Sequence, residues 1–330
     1  MSSPLPLTYA GVVYDRTRAL YTGQVSPEGV DLRYLRVDIE ELFWRQGRYA
    51  EFDAAEFSLG AYLAMLGKDD CRFTALPVFP SRAFRHSALY VRANGDVRIP
   101  ADMAGRRVGT PEWSMTASLW MRGIMSDYYG VDLSSVLWST GGLDQAGRQE
   151  KARVTAPSSF RVQHIGNERT LTAMLLDGEL DVVLAARAPQ AFSQGDPRLR
   201  RLFPDPRAEE MAYFQATGIV PMMHVVVLRR ELAEAHPWLA NTLRHAFDLA
   251  RTGVLAELRD NAVSTSSLVW EASYAEQEAG LFGDAFRYGA EENAAALDAV
   301  LRYAVEQGFT PARLALDQVF WPSTLTRSKI

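Results

Sequence analysis

Residues 7–25, LTYAGVVYDRTRALYTGQV, predict a strand followed by a helix. The run at 7–13 is apolar and has the length of a buried strand, and the amphipathic segment that begins near Asp15 has the pattern of a helix. Similar strand and helix patterns recur at 32–46 and 52–66. Short apolar strands that alternate with longer amphipathic segments are typical of α/β folds with a mainly parallel sheet. The sequence therefore predicts an α/β fold.

A second series of strand and helix patterns predicts a second lobe that is inserted into the first. The apolar run at 224–228 has the pattern of a strand that returns to the first sheet. We expect lobe 1 to comprise residues 1–97 and 225–330, with a largely helical C-terminal part, and lobe 2 to comprise residues 98–224. The glycine-rich segment 138–157 is predicted to be a mobile surface loop. Ligands of open α/β sheets bind beyond the carboxyl ends of strands, so we expect the ligand site in the cleft between the lobes.

The composition is that of an ordinary globular protein. The 330 residues are 48% hydrophobic and 23% charged, and the formal net charge of -5 argues against a surface for nucleic acid or anionic membranes. The single cysteine, Cys71, excludes an internal disulfide and a CxxC pair. The first residues show no charged segment followed by an apolar one, and no apolar run approaches the length of a bilayer span. We therefore expect a cytoplasmic protein with no membrane partner.

A short basic loop lies within residues 76–92, LPVFPSRAFRHSALYVR. Prolines make the turn rigid, and Arg82, Arg85 and His86 come just before an apolar strand. A guanidinium offers a planar fork of donors that matches a carboxylate, so this loop indicates a site for an anion such as a di-acid. The alternative interpretation is a solvated basic turn.

Polar and aromatic side chains follow several of the predicted strands, at positions that we expect to face the cleft. These candidates are Tyr14, Asp15, Arg16, Glu56, Ser58, Thr110, Glu112, Trp113, Ser114, Thr116, Arg187 and His224. Asp15 and Arg16 have an alternative interpretation, in which they cap a helix and pair with each other. Ser114 and Thr116 are more typical of helix caps than of nucleophiles, because no GxSxG elbow surrounds them.

Glu56 and His224 are the candidates for acid–base chemistry in the predicted strands. Glu56 lies in the apolar stretch FDAAEFSLG, where a buried carboxylate requires a donor or a cation, and Arg82 or Arg85 could supply one. His224 precedes three valines at the expected crossover between lobes, and an imidazole there can exchange protons near neutral pH. The alternative for His224 is a histidine with satisfied hydrogen bonds in the core. His86 is a second candidate for proton delivery.

Motifs for nucleotide cofactors and structural zinc are absent from the sequence. It contains no P-loop, no GxGxxG at a strand-to-helix turn, no HExxH and no cysteine cluster. We therefore predict no cofactor of these kinds. A divalent metal held by histidine and carboxylate from several loops leaves no local signature, so the sequence does not exclude one.

Taken together, these segments resemble the 4,5-dihydroxyphthalate decarboxylase family, whose fold is similar to that of type II periplasmic substrate-binding proteins. The resemblance runs over most of the chain. It is carried in chain order by LTYAGVVYDRTRALYTGQV, FDAAEFSLGAYL, LPVFPSRAFRHSALYV, DMAGRRVGTPEWSMTASLWMRGIMSDYYGVD, LLDGELDVVLAAR and GIVPMMHVVVLRREL. It implies a two-lobed fold and a non-oxidative carboxy-lyase that requires no organic cofactor.

The resemblance also implies roles for the basic candidates. With 4,5-dihydroxyphthalate as the substrate, Arg82 and Arg85 would bind the carboxylate that stays on the ring. His86 or His224 would deliver the proton that replaces the other carboxylate. The partner of the protein would then be a small aromatic carboxylate.

The remaining roles concern the phenolic hydroxyls and the departing group. Glu56 or Asp15 would interact with the hydroxyls, and the departing carboxylate would lie in a partly apolar pocket near Trp113, because strong pairing there would stabilise the ground state. The alternative function is a non-catalytic protein whose cleft captures a small anion for a transporter or a sensor. The long helical C-terminal part could supply the surface of a homo-oligomer.

Overall fold

The strands of the protein form two sheets. The computed structural model describes residues 3–68 and 71–326. In chain order the strands are β1 (Leu5–Gly11), β2 (Val30–Arg36), β3 (Ala54–Ser58), β4 (Phe73–Leu76), β5 (Leu89–Arg92), β6 (Arg107–Thr110), β7 (Leu137–Thr140), β8 (Arg161–His164), β9 (Val182–Leu184), β10 (Leu199–Arg201) and β11 (His224–Arg229).

Both sheets are mixed, and each contains a run of adjacent parallel strands. The first has the order β2-β1-β3-β11-β4, and β11 runs antiparallel to its neighbours. The second has the order β10-β5-β9-β6-β7-β8, in which β5 and β10 are joined by antiparallel pairing and the strands from β9 to β8 are parallel. The predicted α/β class is confirmed. The antiparallel strands are those by which the chain enters or leaves a lobe.

Helices cover the sheets. They are α1 (Asp15–Tyr21), α2 (Ile39–Tyr49), α3 (Leu59–Leu66), α4 (Thr116–Asp127), α5 (Leu171–Leu176), α6 (Gln190–Ser193), α7 (Pro206–Thr217), α8 (Arg230–Ala235), α9 (Leu239–Arg251), α10 (Val254–Leu258), α11 (Glu271–Phe282), α12 (Ala294–Glu306) and α13 (Leu316–Val319). Side chains fix the starts of the two helices near the cleft. Asp38 accepts a hydrogen bond from the first turn of α2, and Ser58 accepts one from the N–H of Ala61 in α3.

The chain passes between the lobes twice. After β4 it reaches the second sheet at β5, and after α7 it returns through β11. Because β5 pairs with β9 and β10, residues 89–92 belong to the second sheet, although they lie inside the predicted span 1–97 of lobe 1. The first crossing therefore comes earlier in the chain than the sequence suggested. The apolar run before residue 97 has no feature that tells which of two sheets it joins.

The C-terminal helix α12 packs against both lobes. It contacts α3 of the first lobe and α4 of the second. Gly123 of α4 lies against the ring of Tyr303, and the Tyr303 hydroxyl donates to Asp127 at 2.8 Å. The glycine is required here because a methyl group at its position would overlap the tyrosine ring.

Among the helices of residues 3–68 and 71–326, none has the length and apolar content needed to cross a bilayer.

We expect Gly123→Ala to lower the free energy of unfolding by about 1–3 kcal/mol, because the added methyl forces α4 and α12 apart. Chemical denaturation followed by circular dichroism measures this change. Gly280→Ala is the matched control, since a methyl there meets no atom within 4 Å and the residue is in α11. The control should keep or slightly raise the stability. Equal effects of the two substitutions would contradict the packing argument.

Candidate active site

A cavity of about 230 Å³ lies between the two lobes, at the strand ends of both sheets. The carboxyl end of β3 contributes Ser58. The antiparallel β11 brings His224 to the same edge, because His224 pairs with Ser58 in the strand register. From the second lobe, Thr116 at the start of α4 and Arg187 after β9 face the same space. The cavity thus lies in the cleft in which we expect the ligand.

The lining combines cations with an apolar wall. The sequence-predicted residues that line the cavity are Ser58, Arg85, Glu112, Thr116, Arg187 and His224. The other polar lining residues are Glu40, Ser114, Arg148 and Lys151, and the apolar ones are Ile39, Phe43, Ala61, Met115, Ala117, Ala186 and Met223. Cavities for drug-sized ligands have about 300–1,000 Å³, so this one suits a smaller ligand with a single ring.

Glu56 is a fully buried carboxylate held by three donors from two segments, the link after β1 and strand β11. Its Oε2 accepts from the N–H of Val12 at 3.1 Å, and its Oε1 accepts from the Tyr14 hydroxyl at 2.7 Å. The same Oε1 lies 2.6 Å from Nδ1 of His224. The strand register explains the last contact: Val226 lies opposite Glu56, so His224 is its diagonal neighbour on the same face of the sheet. These bonds compensate for burial of the charge.

His224 presents its second ring nitrogen to the cavity. Because Glu56 accepts hydrogen bonds from Val12 and Tyr14, it acts as an acceptor toward His224 too, and Nδ1 of the imidazole donates. Nε2 is then the nitrogen left to meet a ligand in the cavity that His224 lines. The ring of Phe43 packs edge-on against the imidazole, with 4.9 Å between ring centres. The imidazole therefore has a fixed orientation between a carboxylate and an apolar wall.

Two hydroxyl groups join the lobes at the back of the cavity. Ser58 Oγ lies 2.9 Å from Thr116 Oγ1, and the N–H of Gly60 donates to the same threonine oxygen at 2.9 Å. A side chain at Gly60 would collide with the carbonyl oxygen of Ser114. Gly60 therefore allows the start of α3 and the start of α4 to approach closely.

Arg85 is a cation in the cavity wall without a counter-ion. Its Nε donates to the sulfur of Met223 at 3.4 Å. In the described part of the chain, no carboxylate lies within ion-pairing distance of its guanidinium. Burial lowers the pKa of Arg85, and the charge of the more distant Glu210 opposes that shift. An arginine keeps its charge even so, and a half-buried charge without a close counter-ion is costly. An anionic ligand would remove that cost.

A second group of cations in the cavity wall lies around the buried carboxylate of Glu112. Arg148 donates to Glu112 Oε1 through Nε at 2.7 Å, and Lys151 donates its backbone N–H to Oε2 at 3.0 Å. Glu40 of the first lobe lies 3.6 Å from Arg148 and 3.2 Å from Arg187. Among the described residues that line the cavity, four cationic side chains face two carboxylates, apart from His224. The lining thus has an excess of positive charge.

The segment 141–157 carries Arg148 and Lys151 and is fastened to the second lobe by Glu150. The Glu150 carboxylate accepts from the N–H groups of Trp113 and Ser114 and from the Ser114 hydroxyl, the last at 2.7 Å. Burial raises the pKa of Glu150. The sequence predicts a mobile surface loop for residues 138–157, but residues 138–140 belong to β7, and Arg148 and Lys151 line the cavity. Its mobility stays a prediction.

Comparisons with known proteins identify the family. The chain is 36% identical over 329 residues to the 4,5-dihydroxyphthalate decarboxylase of Comamonas testosteroni, a match that covers 99% of this chain and 100% of that protein. It is 38% identical over 212 residues to the 4,5-dihydroxyphthalate decarboxylase of Pseudomonas putida, covering 64% and 82% of the two chains. The chain belongs to the 4,5-dihydroxyphthalate decarboxylase family. No protein-family model matches the sequence.

A solved structure supports the fold of this decarboxylase family member. The periplasmic aliphatic sulphonate binding protein of Escherichia coli superposes with a TM-score of 0.54 and 12% sequence identity, covering 99% of this chain and 96% of that chain. The predicted two-lobed type II periplasmic-binding-protein-like fold is confirmed. At this identity the likeness concerns the fold alone.

Arg82 lies outside the cavity. Its guanidinium donates to the carbonyl oxygens of Val220 at 3.3 Å and Arg287 at 2.9 Å, and to the side chain of Asn293. Burial lowers the pKa of Arg82 to about 10. Arg82 points to the carbonyl oxygens of Val220 and Arg287, whereas Arg85 points to Met223 in the cavity wall, so the two side chains leave the irregular loop in different directions. The structure therefore does not bring together the two arginines that the sequence predicts to bind one carboxylate.

His86 is buried among aromatic rings, away from the cavity. The rings of Phe203 and Tyr213 lie 5.3 Å and 5.7 Å from the imidazole, and within the described residues neither ring nitrogen has a hydrogen-bond partner. Burial lowers the pKa of His86 to about 4, so the ring is neutral at neutral pH. Glu210 lies 3.9 Å from its Nδ1, and burial raises the pKa of Glu210 to about 7. The geometry favours His224 over His86 as the proton donor.

Asp15 and Arg16 follow β1 on the side of Glu56 away from the cavity. Asp15 accepts from Arg16 at 3.0 Å, as in the alternative interpretation, and Arg16 also donates to the Pro80 carbonyl oxygen at 2.6 Å. The Arg16 guanidinium stacks on the rings of Tyr14 and Phe286, at 4.1 Å from each. Of the predicted residues after β1, Tyr14 alone touches Glu56 in the described structure.

Thr110 and Trp113 support the second lobe from behind the cavity. Thr110 Oγ1 lies 2.6 Å from Ser118 Oγ in the core. The Trp113 indole donates to the Gln307 carbonyl oxygen at 3.0 Å, and its ring stacks on the buried Arg122 at 3.8 Å. The apolar wall of the cavity is formed by Phe43, Met115 and Met223 instead of Trp113.

Two lining residues that are not among those predicted from the sequence nevertheless have a recognisable signal in it. Arg148 and Lys151 belong to the charged run RQEKAR at 148–153, which follows β7. Because β7 is parallel to β6, the segments after both strands leave the sheet at the same edge, where Glu112 lies.

Among the described residues, no group of three or more histidine, cysteine, aspartate or glutamate side chains has the arrangement of a metal site.

We expect the raised pKa of Glu210 to make stability depend on pH. The folded state binds this proton more tightly than the unfolded state, so the stabilisation is present below about pH 4.5 and is lost as pH rises through about 7. The free energy of unfolding of Glu210→Gln should therefore rise relative to that of the wild type, by roughly 1–3 kcal/mol between pH 5 and pH 8. Urea unfolding at each pH measures this difference. Glu234→Gln, at an exposed position, is the control and should follow the wild type. Parallel curves for Glu210→Gln and the wild type would contradict the assignment.

Proposed function

We propose that this protein is a non-oxidative decarboxylase that converts 4,5-dihydroxyphthalate to 3,4-dihydroxybenzoate and carbon dioxide. The observation that supports it is the Glu56–His224 pair, which opens into a cavity with excess positive charge in a member of this family. A doubly charged acid complements such a lining, and a fixed imidazole supplies a proton donor. A protein that only captures anions requires the cations but not the pair.

Arg85 is the residue we assign to the carboxylate that stays on the ring. It is half-buried and forms no ion pair within the described structure, and it lies in the cavity wall. Arg148 and Lys151 face the phenolic hydroxyls in this arrangement. They favour the phenolate, whose charge supports protonation of the ring carbon in the para position. Glu56 serves His224 and leaves the hydroxyls to these cations.

His224 is the residue we assign to proton delivery. Its imidazolium donates the Nε2 proton to the ring carbon that bears the departing carboxylate, and a C–H bond forms there. The C–C bond to the carboxylate then breaks, its electron pair returns to the ring, and carbon dioxide leaves as a neutral molecule. His224 is left neutral and regains a proton from solvent. The apolar side chains of Phe43 and Met223 surround the departing group without pairing with it.

A role in phthalate catabolism follows from this proposal. The cytoplasmic location and a homo-oligomeric state stay predictions.

The test of the function itself is incubation of the purified protein with 4,5-dihydroxyphthalate and other hydroxylated aromatic acids, with and without added divalent metal. Carbon dioxide and 3,4-dihydroxybenzoate in equal amounts are expected. Binding of the di-acid with no release from any acid, in either condition, would favour the anion-capture function.

We expect His224→Asn to lower kcat by roughly 10²–10⁴-fold, because the general acid is lost while the cations that bind the substrate remain. Steady-state kinetics with 4,5-dihydroxyphthalate measures the effect, and KM should change little. His245→Asn, at an exposed position of α9, is the control and should keep the wild-type kcat. A near-normal kcat in His224→Asn would remove His224 from proton delivery.

We expect Arg85→Gln to raise KM by about 10–100-fold, the effect of losing one charge-assisted interaction with a carboxylate. Arg85→Lys keeps the charge without the planar fork, so its KM should lie between those of the wild type and Arg85→Gln. Arg313→Gln, in an exposed pair with Asp298, serves as the control. An unchanged KM in Arg85→Gln would show that the retained carboxylate binds elsewhere.

A further inference from the structure

Tyr14 and His224 compete for one oxygen of Glu56. The Tyr14 hydroxyl donates to Oε1 at 2.7 Å, and Nδ1 of His224 lies 2.6 Å from the same atom. The other oxygen, Oε2, accepts from the Val12 N–H at 3.1 Å. Because Glu56 is fully buried, water does not share in these bonds, and each donor takes part of a fixed negative charge.

We propose that Tyr14 is a positioning residue that tunes how tightly His224 holds its proton, by drawing charge from the shared oxygen of Glu56. The inference rests on the proposed function of His224 as the acid. A carboxylate oxygen that already accepts a hydrogen bond from a phenol stabilises an imidazolium less than a carboxylate oxygen without that hydrogen bond. A proton donor works best when it gives up its proton near the working pH, so a carboxylate without a competitor would make His224 a weaker acid.

Tyr14 is suited to this role because it stays a donor. Burial and the neighbouring Glu56 carboxylate raise the pKa of Tyr14, so its hydroxyl keeps its proton at any working pH. Arg16 stacks on the Tyr14 ring at 4.1 Å and holds it in place. The partly buried ring therefore gives a fixed hydrogen bond to Glu56 and cannot exchange it for an ionised form.

The other titratable and charged groups near Glu56 and His224 are the same in all the variants that test the proposal. Behind Glu56 the phenols of Tyr9 and Tyr34 and, further away, Tyr288 are neutral, and burial raises the pKa of each. On the cavity side, the charged groups that share the lining with His224 are Arg85, Arg148, Lys151, Arg187, Glu40 and Glu112. Substitutions at Tyr14 and Glu56 leave all of these in place, so differences between the variants report on the shared oxygen.

The proposal predicts opposite shifts of the pH profile in two variants. His224 must be protonated to act, so kcat falls as pH rises through the alkaline limb. Tyr14→Phe leaves Oε1 wholly to His224, which holds its proton more tightly, and should move that limb up by about 0.5–1.5 pH units. Glu56→Gln removes the charge and should move the limb to lower pH. The measurement is kcat for carbon dioxide release from 4,5-dihydroxyphthalate between pH 5 and pH 10.

Tyr34→Phe is the matched control. The Tyr34 hydroxyl donates to the carbonyl oxygen of Val12 at 2.7 Å and not to Glu56, so its removal costs a buried hydrogen bond nearby and should leave the limb in place. If Tyr14→Phe lowers kcat without moving the limb, or moves it in the direction of Glu56→Gln, Tyr14 has only a structural role and the inference is overturned.

Nuclear magnetic resonance separates failure of the inference from failure of the proposed function. The protonation of the His224 ring, followed by pH titration of histidine resonances in the ligand-free protein, should shift in the same opposite directions in Tyr14→Phe and Glu56→Gln. If the wild type releases no carbon dioxide, the proposed function fails while these titrations still test the shared oxygen. If it releases carbon dioxide and the titrations coincide, only the role of Tyr14 is lost.

Discussion

Burial of the Glu56 carboxylate is the constraint on which the site depends. A charge without access to water is tolerated only with donors in fixed places, and those donors come from the segment after β1 and from β11. The three hydrogen bonds therefore tie the central strands of the first sheet to the link between β1 and α1. Because one of the donors is His224, the same requirement also sets the tautomer of the imidazole and the direction of its free nitrogen.

The topology explains why His224, the proposed acid, lies where the lobes meet. A parallel strand after β3 would place its first residue at the far edge of the sheet, away from the cleft. β11 runs antiparallel to β3, so its first residue, His224, lies beside the carboxyl end of β3. The inserted lobe makes this possible, since the chain re-enters the first sheet from the cleft. The crossing between lobes and the position of His224 are therefore one feature of the fold.

The strands and the buried polar residues were predictable from sequence, whereas the directions of loop side chains were not. Glu56 and His224 were identified because a charge or an imidazole in an apolar strand requires a partner, and the register then joins them. Arg82 and Arg85 looked equivalent because spacing along an irregular loop carries no facing rule, unlike the periods of helices and strands. Trp113 was assigned to the cavity for the same reason, and its indole points to Gln307 instead. Arg148 and Lys151 were missed because a glycine-rich, charged composition is shared by free loops and by loops that bind anions.

The distribution of charge within the cavity distinguishes catalysis from capture. A protein that only holds a di-acid gains from cations around both carboxylates. For decarboxylation, tight pairing of the departing carboxylate would stabilise the substrate more than the transition state, in which that charge moves onto the ring. In this cavity the cationic side chains are Arg85, Arg148, Lys151 and Arg187, and the last three lie within ion-pairing distance of Glu40 or Glu112. Among the described residues that line the cavity, Arg85 is the cation without an ion pair, so it can pair strongly with one carboxylate of a di-acid, while the other carboxylate meets cations that protein carboxylates already share. This unequal pairing is what the proposed decarboxylation requires.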